Sequence, residues 1–111
     1  MSGAPFVASL RSRKSVIRLA PEGAADAITI RVEMPDVWDV VRMEVLPTDA
    51  VSDVKARALQ ALYPGYDALD DFVVKLRGWE VINESQSLTS AGAIDGSILL
   101  LTFRRRRPVK S

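Results

Sequence analysis

The chain has 111 residues, room for one domain with a single core, and its formal net charge of +1 conceals an uneven distribution. It contains neither histidine nor cysteine, which excludes imidazole and thiolate chemistry, Cys/His metal sites and disulfide staples. Residues 1–22 carry four bases and one acid, residues 23–103 six bases and thirteen acids, and residues 104–111 five bases, so an acidic domain lies between two basic ends. The longest apolar run, Ile98 to Leu101, is far too short to span a bilayer. No long apolar stretch follows the basic N-terminus, so a signal peptide is not expected.

Residues 1–26 combine Gly, Ser, Ala, two prolines and scattered arginines, and are read as a flexible basic arm. The alternative is that Val16-Ile17-Arg18-Leu19 adds a short strand that covers a sheet edge. Ile28, Ile30, Val32 and Met34 alternate with Thr29, Arg31 and Glu33, the pattern of a half-buried strand. After the loop Pro35 to Asp39, Val41, Met43 and Val45 share one face while Arg42 and Glu44 share the other, which predicts an antiparallel hairpin. Its loop carries Trp38, which either folds back over a sheet edge or serves as a contact residue on a protruding loop.

Beyond Pro47-Thr48-Asp49 the period becomes helical, with Val51, Val54, Ala58 and Leu62 on one side. The helix is expected to start near Asp49 or Ala50, with Asp49 as a candidate N-cap, and to end before Pro64-Gly65. Asp49 and Asp53 near its start, with Lys55 and Arg57 further along, suit the helix dipole. An acidic connection, Tyr66 to Asp71, leads to a third strand in which Phe72, Val74 and Leu76 alternate with Val73, Lys75 and Arg77. Gly78 suits a tight turn before a short fourth strand, Trp79 to Ile82. Asn83 to Ser90 reads as a polar loop whose Leu88 plugs the core, and Asp95-Gly96-Ser97 as a turn. Ile98 to Phe103 is apolar almost throughout, which predicts a central strand.

Hairpin, helix, strand, short strand, loop, strand is the order of an α+β β-grasp: a mixed four- to five-stranded sheet curled around one main helix. The run Glu44-Val45-Leu46-Pro47-Thr48-Asp49-Ala50-Val51-Ser52-Asp53-Val54-Lys55-Ala56-Arg57 resembles the second strand, turn and first helix of ubiquitin. Val74-Lys75-Leu76-Arg77-Gly78, Ser87-Leu88 and Asp95-Gly96-Ser97-Ile98-Leu99-Leu100-Leu101 resemble its later strands and the loop between them. The resemblance covers about residues 27–107 and implies a ubiquitin-like domain at 27–103 followed by a basic tail at 104–111. It speaks to fold far more than to activity.

In ubiquitin the last strand leads into an Arg-rich tail ending in Gly-Gly, which an activating enzyme threads through a narrow channel. Phe103-Arg104-Arg105-Arg106 follows that tail, but Arg107 and Pro108 stand at the glycine positions and no Gly-Gly lies upstream. The resemblance therefore implies a protein that is not conjugated, with a modifier acting through its C-terminus as the alternative. Ubiquitin's apolar recognition patch centres on an isoleucine whose position here is Lys75, with Leu100 and Thr102 at neighbouring positions of the last strand. The recast surface is expected to draw apolar area from Val73, Ile98 and Leu100 and charge from Lys75 and Arg77, with Trp79 at the nearby turn. Alternation puts Leu100 outside while Leu99 and Leu101 face in; a partner, the N-terminal arm, or nothing covers it.

Arg104, Arg105, Arg106 and Arg107 form an electrostatic tail. It suits phosphates on nucleic acid, anionic lipid or an acidic partner, or acts as a solubilising end. The acidic domain behind it and the lack of an aromatic residue within it disfavour nucleic acid. No base partners Ser85, Ser87 or Ser90, and Asp67, Asp70 and Asp71 read as a solvated acidic surface, so no enzyme, cofactor or metal is expected. The expectation is a monomeric cytoplasmic adaptor with at most weak self-association, binding another protein. Free-standing ubiquitin-like proteins also occur in bacteria, some associated with secretion systems, which makes a secretion-system component one candidate partner.

Overall fold

The computed structural model describes residues 16–66 and 68–104. Side-chain alternation decides the architecture. In β2 (Ile28–Met34) and β3 (Asp39–Val45), Ile30, Val32, Met34, Val41, Met43 and Val45 are buried while Arg31 and Arg42 are exposed. The two strands pair antiparallel, with Ile30 opposite Met43 and Val32 opposite Val41, so the apolar set falls on one side of the hairpin. β6 (Ile98–Phe103) runs parallel to β2, placing Leu99 beside Val32, and antiparallel to β4 (Phe72–Leu76), placing Leu101 beside Val74. With β1 (Val16–Arg18) and β5 (Trp79–Glu80) at the two edges, the sheet among the described residues has six strands in the order β1-β3-β2-β6-β4-β5. β6 is central, as its apolar run predicts.

Helix α1 (Val51–Leu62) lays Val51, Val54, Ala58, Leu59 and Leu62 on the inner face of the sheet. Each of the valine and leucine side chains contributes roughly 1.5–3 kcal/mol when fully buried, so packing rather than propensity holds the helix. Its start differs from the expected one. The N-cap is Ala50, with no side-chain cap, because the Asp49 carboxylate turns back to accept the Leu46 N–H at 2.8 Å. The first free amides are satisfied from a distance instead. Val51 N–H donates to the Gln86 carbonyl (3.0 Å) and Ser52 N–H to the Glu84 carbonyl (2.8 Å). The polar loop after β5 thus caps the helix.

That loop is also more ordered than its composition suggests. Leu88 is fully buried, as expected, but it opens a one-turn helix, Leu88–Ala91. Ser87 caps it by accepting the Ser90 N–H, and Gly92 ends it at φ 97°, where a side chain would be strained.

Within the expected arm over residues 1–26, one short stretch is a strand. Val16–Arg18 forms β1, parallel to β3, in the arrangement held above as the alternative. The edge of β3 offers unpaired backbone groups, and the Glu44 carbonyl accepts from both Leu19 N–H (2.9 Å) and Ala20 N–H (3.1 Å). Ile17 and Leu19 pack against the core, and Arg18 pairs with the Glu44 carboxylate at 2.8 Å. Residues 1–15 lie outside the described residues, as do Asp67 and Arg105, Arg106 and Arg107.

An aromatic cluster closes one end of the core. Phe72 stacks on Phe103 with ring centroids 4.3 Å apart, and Tyr66 meets both rings edge-on. The Tyr66 hydroxyl donates to the Asp71 carboxylate, which ties the acidic connection to the sheet.

Candidate interaction surface

The outward-facing residues can be read in rows, because the registers of adjacent strands are known. One row crosses five strands as Val40, Glu33, Leu100, Lys75 and Glu80. Leu100 therefore stands directly between an acid and a base, Glu33 and Lys75, and is half-buried by its neighbours. The next row toward the β2–β3 turn pairs Thr102 with Val73. Val73 is only 5% exposed, so its expected contribution of apolar contact area is corrected. It forms the floor of a groove rather than a raised patch.

That open groove, about 700 Å³, brings Val73, Lys75 and Thr102 together with Pro35, Asp36, Glu80, Phe103 and Arg104. Its wall is the 3-10 turn Pro35–Val37, whose Asp36 carboxylate reaches the Phe103 N–H at 3.4 Å. Arg104 closes the other side: its guanidinium donates to the Asp70 carbonyl (3.0 Å) and lies 3.7 Å from Glu80. Of the four tail arginines, the described one is thus engaged by the domain itself.

Trp38 follows that turn and is 93% exposed, with φ 53° in the left-handed region that bulky residues seldom adopt. Its N–H donates to the Pro35 carbonyl (3.0 Å), which helps hold the conformation. The protruding arrangement is the one observed; Trp38 does not fold back over the sheet.

Trp79 is placed differently from expectation. Arg77 (φ 55°) and Gly78 (φ 84°) form a two-residue turn that sets Leu76 opposite Trp79 and Lys75 opposite Glu80. Glu80 therefore joins the outer face, whereas Trp79 shares the side of buried Leu76. It lines a separate edge groove with exposed Ile82 beside Ser90 and Ala91. Arg77 is exposed in the turn, off the rows of the face. Ile98, 46% exposed, lies opposite Arg31 in another row.

Pro35, Asp36 and Glu80 were missed as surface partners. Their positions depend on turn geometry and strand register, although Val40 and Glu33 were recoverable from alternation alone.

Among the described residues, no group of three or more His, Cys, Asp or Glu side chains is placed to hold a metal ion. No described helix is long and apolar enough to cross a membrane. Among the buried groups, one ion pair stands out: Lys55, 3% exposed, has its Nζ 2.9 and 3.1 Å from the two carboxylate oxygens of Glu84. Lys55, read from the sequence only as a charge that suits the helix dipole, joins α1 to the capping loop.

No protein-family profile matches the chain, and no curated protein matches its sequence. Solved structures do. The ubiquitin-like domain of an Arabidopsis thaliana protein aligns with a TM-score of 0.60 at 17% identity, covering 83% of this chain and 95% of that one. The ubiquitin of Caldiarchaeum subterraneum aligns with a TM-score of 0.61 at 18% identity, covering 72% and 96%. A de novo design based on ubiquitin aligns with a TM-score of 0.62 at 13% identity, covering 78% and 100%. The sheet order, the single main helix and these alignments agree that the chain has the ubiquitin-like β-grasp fold.

Proposed function

We propose that this is a non-conjugated protein-interaction domain, a cytoplasmic adaptor that binds another protein through its outer sheet face. The observation that carries the reading is the groove over Val73, Lys75 and Thr102, walled by the turn that also holds Trp38 in a strained, exposed conformation. Strain of that kind costs on the order of 1–2 kcal/mol for an L-residue. An exposed tryptophan is also the residue type most often found as an interface anchor. Leu100 lies on the same face, one row away. Receptors that read an apolar ubiquitin patch would have to desolvate Lys75, so the partner is expected to present a carboxylate there. Arg107 and Pro108 at the positions of ubiquitin's terminal glycines support the absence of conjugation. A bacterial secretion-system component remains the partner class suggested by the resemblance.

The test is a pull-down from native lysate with wild type, Leu100→Asp and Trp38→Ser, each checked for folding by circular dichroism, with denatured samples run in parallel for covalent adducts. Loss of one shared partner in both folded variants supports the reading. Equal capture by all three contradicts the surface, and an adduct that survives denaturation contradicts the absence of conjugation.

A further inference from the structure

We infer that the outer face carries a two-guanidinium site, Arg31 with Arg42, that takes a carboxylate-bearing segment of a protein partner. This rests on the adaptor reading only in making the ligand a protein. Arg31 and Arg42 stand directly opposite each other in the β2–β3 register, and both are exposed. Opposed side chains have Cβ atoms about 4.5–5.5 Å apart, a separation at which like charges repel. Neither arginine has an ion pair or side-chain hydrogen bond among the described residues.

No nearby acid among the described residues pairs with either arginine. Glu44, two residues from Arg42 on the same face, is held by Arg18 at 2.8 Å. Asp95, at the end of the groove beside the arginines, accepts the Thr29 N–H at 2.8 Å. Glu33, the next outward residue of β2, stands opposite Val40 and Leu100 rather than an arginine, and has no ion pair among the described residues.

The full row reads Val16, Arg42, Arg31, Ile98 across four strands. Val16 and Ile98 are 38% and 46% exposed, so two cations lie between two accessible apolar side chains. An extended peptide with acidic residues between apolar ones matches that row in both charge and apolarity. A nucleic acid fits it less well, because the row offers no aromatic side chain for a base. The surrounding domain, with thirteen acids against six bases over residues 23–103, also repels a long polyanion.

The test is fluorescence anisotropy with a labelled Glu-Val peptide that carries Val, Glu, Glu and Val at every second position with serines between, so that one face of the extended chain presents the order of the row, at low and at physiological salt, on the full chain. The site predicts that R31Q/R42Q lowers affinity by about tenfold and flattens the salt dependence, while R57Q, which removes an exposed arginine of α1, changes affinity far less. It also predicts that R31E/R42E rejects this peptide and binds the Lys-Val counterpart. The Tm of R31Q/R42Q should not fall, since like-charge repulsion is removed. Failure of wild type to bind the Glu-Val peptide at low salt would overturn the inference. So would binding by R31Q/R42Q within twofold of wild type, or tighter wild-type binding to an oligonucleotide of equal charge. Because the probe is a defined peptide, any of these results leaves the lysate test of the adaptor reading standing.

Discussion

Replacing Glu84 with alanine should be strongly destabilising although the residue is partly exposed. The Lys55 side chain is 2% exposed and the Glu84 side chain 22%, so the carboxylate is the counter-charge that compensates a buried cation. Removing one member of a buried pair typically costs 3–5 kcal/mol, and the partial exposure of Glu84 sets the expectation at the low end, about 3 kcal/mol. For a domain of this size that corresponds to a fall in Tm of roughly 10–20 °C. Replacing Lys55 with methionine removes the charge but keeps the packing. K55M should therefore cost about 1 kcal/mol or less, and K55M/E84A should be more stable than E84A alone. Urea denaturation of wild type, both single variants and the double variant gives all four numbers. An E84A variant within about 0.5 kcal/mol of wild type would refute the reasoning. A double variant no more stable than E84A would refute it equally, since the penalty would then come from the loop rather than from the stranded ammonium.

Two further predictions test the sheet and its turns. Leu101 is fully buried and Leu100 is not, so Leu101→Ala should cost about 2–5 kcal/mol while Leu100→Ala costs under about 1 kcal/mol by chemical denaturation. Equal costs would mean that the register of β6 is wrong. Arg77 occupies the first position of a turn that requires positive φ at both central residues, so Arg77→Asn should raise Tm by a few degrees in a thermal melt. A fall would show that the arginine side chain contributes more than its backbone strain costs.

The strands and main helix were legible because each has a clean period: two along Ile28–Met34 and Phe72–Leu76, and 3.6 along Val51–Leu62. What escaped had no local signal. β1, held only as an alternative, is three residues long, too short to show a period, and it depends on the open edge of β3 and the Glu44 carbonyl that receives Leu19 and Ala20. The helix cap is supplied by Glu84 and Gln86, more than thirty residues downstream of the amides they accept, so no capping motif near Asp49 could announce it. The burial of Lys55 was not legible either, because it depends on that same loop.

The candidate surface was legible in part for the same reasons. Leu100 and Lys75 follow from alternation within single strands, and they do share the outer face. Trp79 does not, since a two-residue turn fixes the partner of Leu76 and thereby sends the following residue to the opposite side. Val73 has the right parity but little exposed area, because the neighbouring strand and the groove walls cover it. Parity is local, and exposure is tertiary.

The central claim, that the outer sheet face is the binding surface, is most directly tested by amide chemical-shift mapping of the isotope-labelled protein titrated with a captured partner. The account predicts that the largest changes fall at Lys75, Leu100, Thr102 and the Pro35–Trp38 turn, with the indole of Trp38 among them. Changes confined to the exposed side of α1, at Arg57 and Gln60, with the sheet face unmoved, would contradict it.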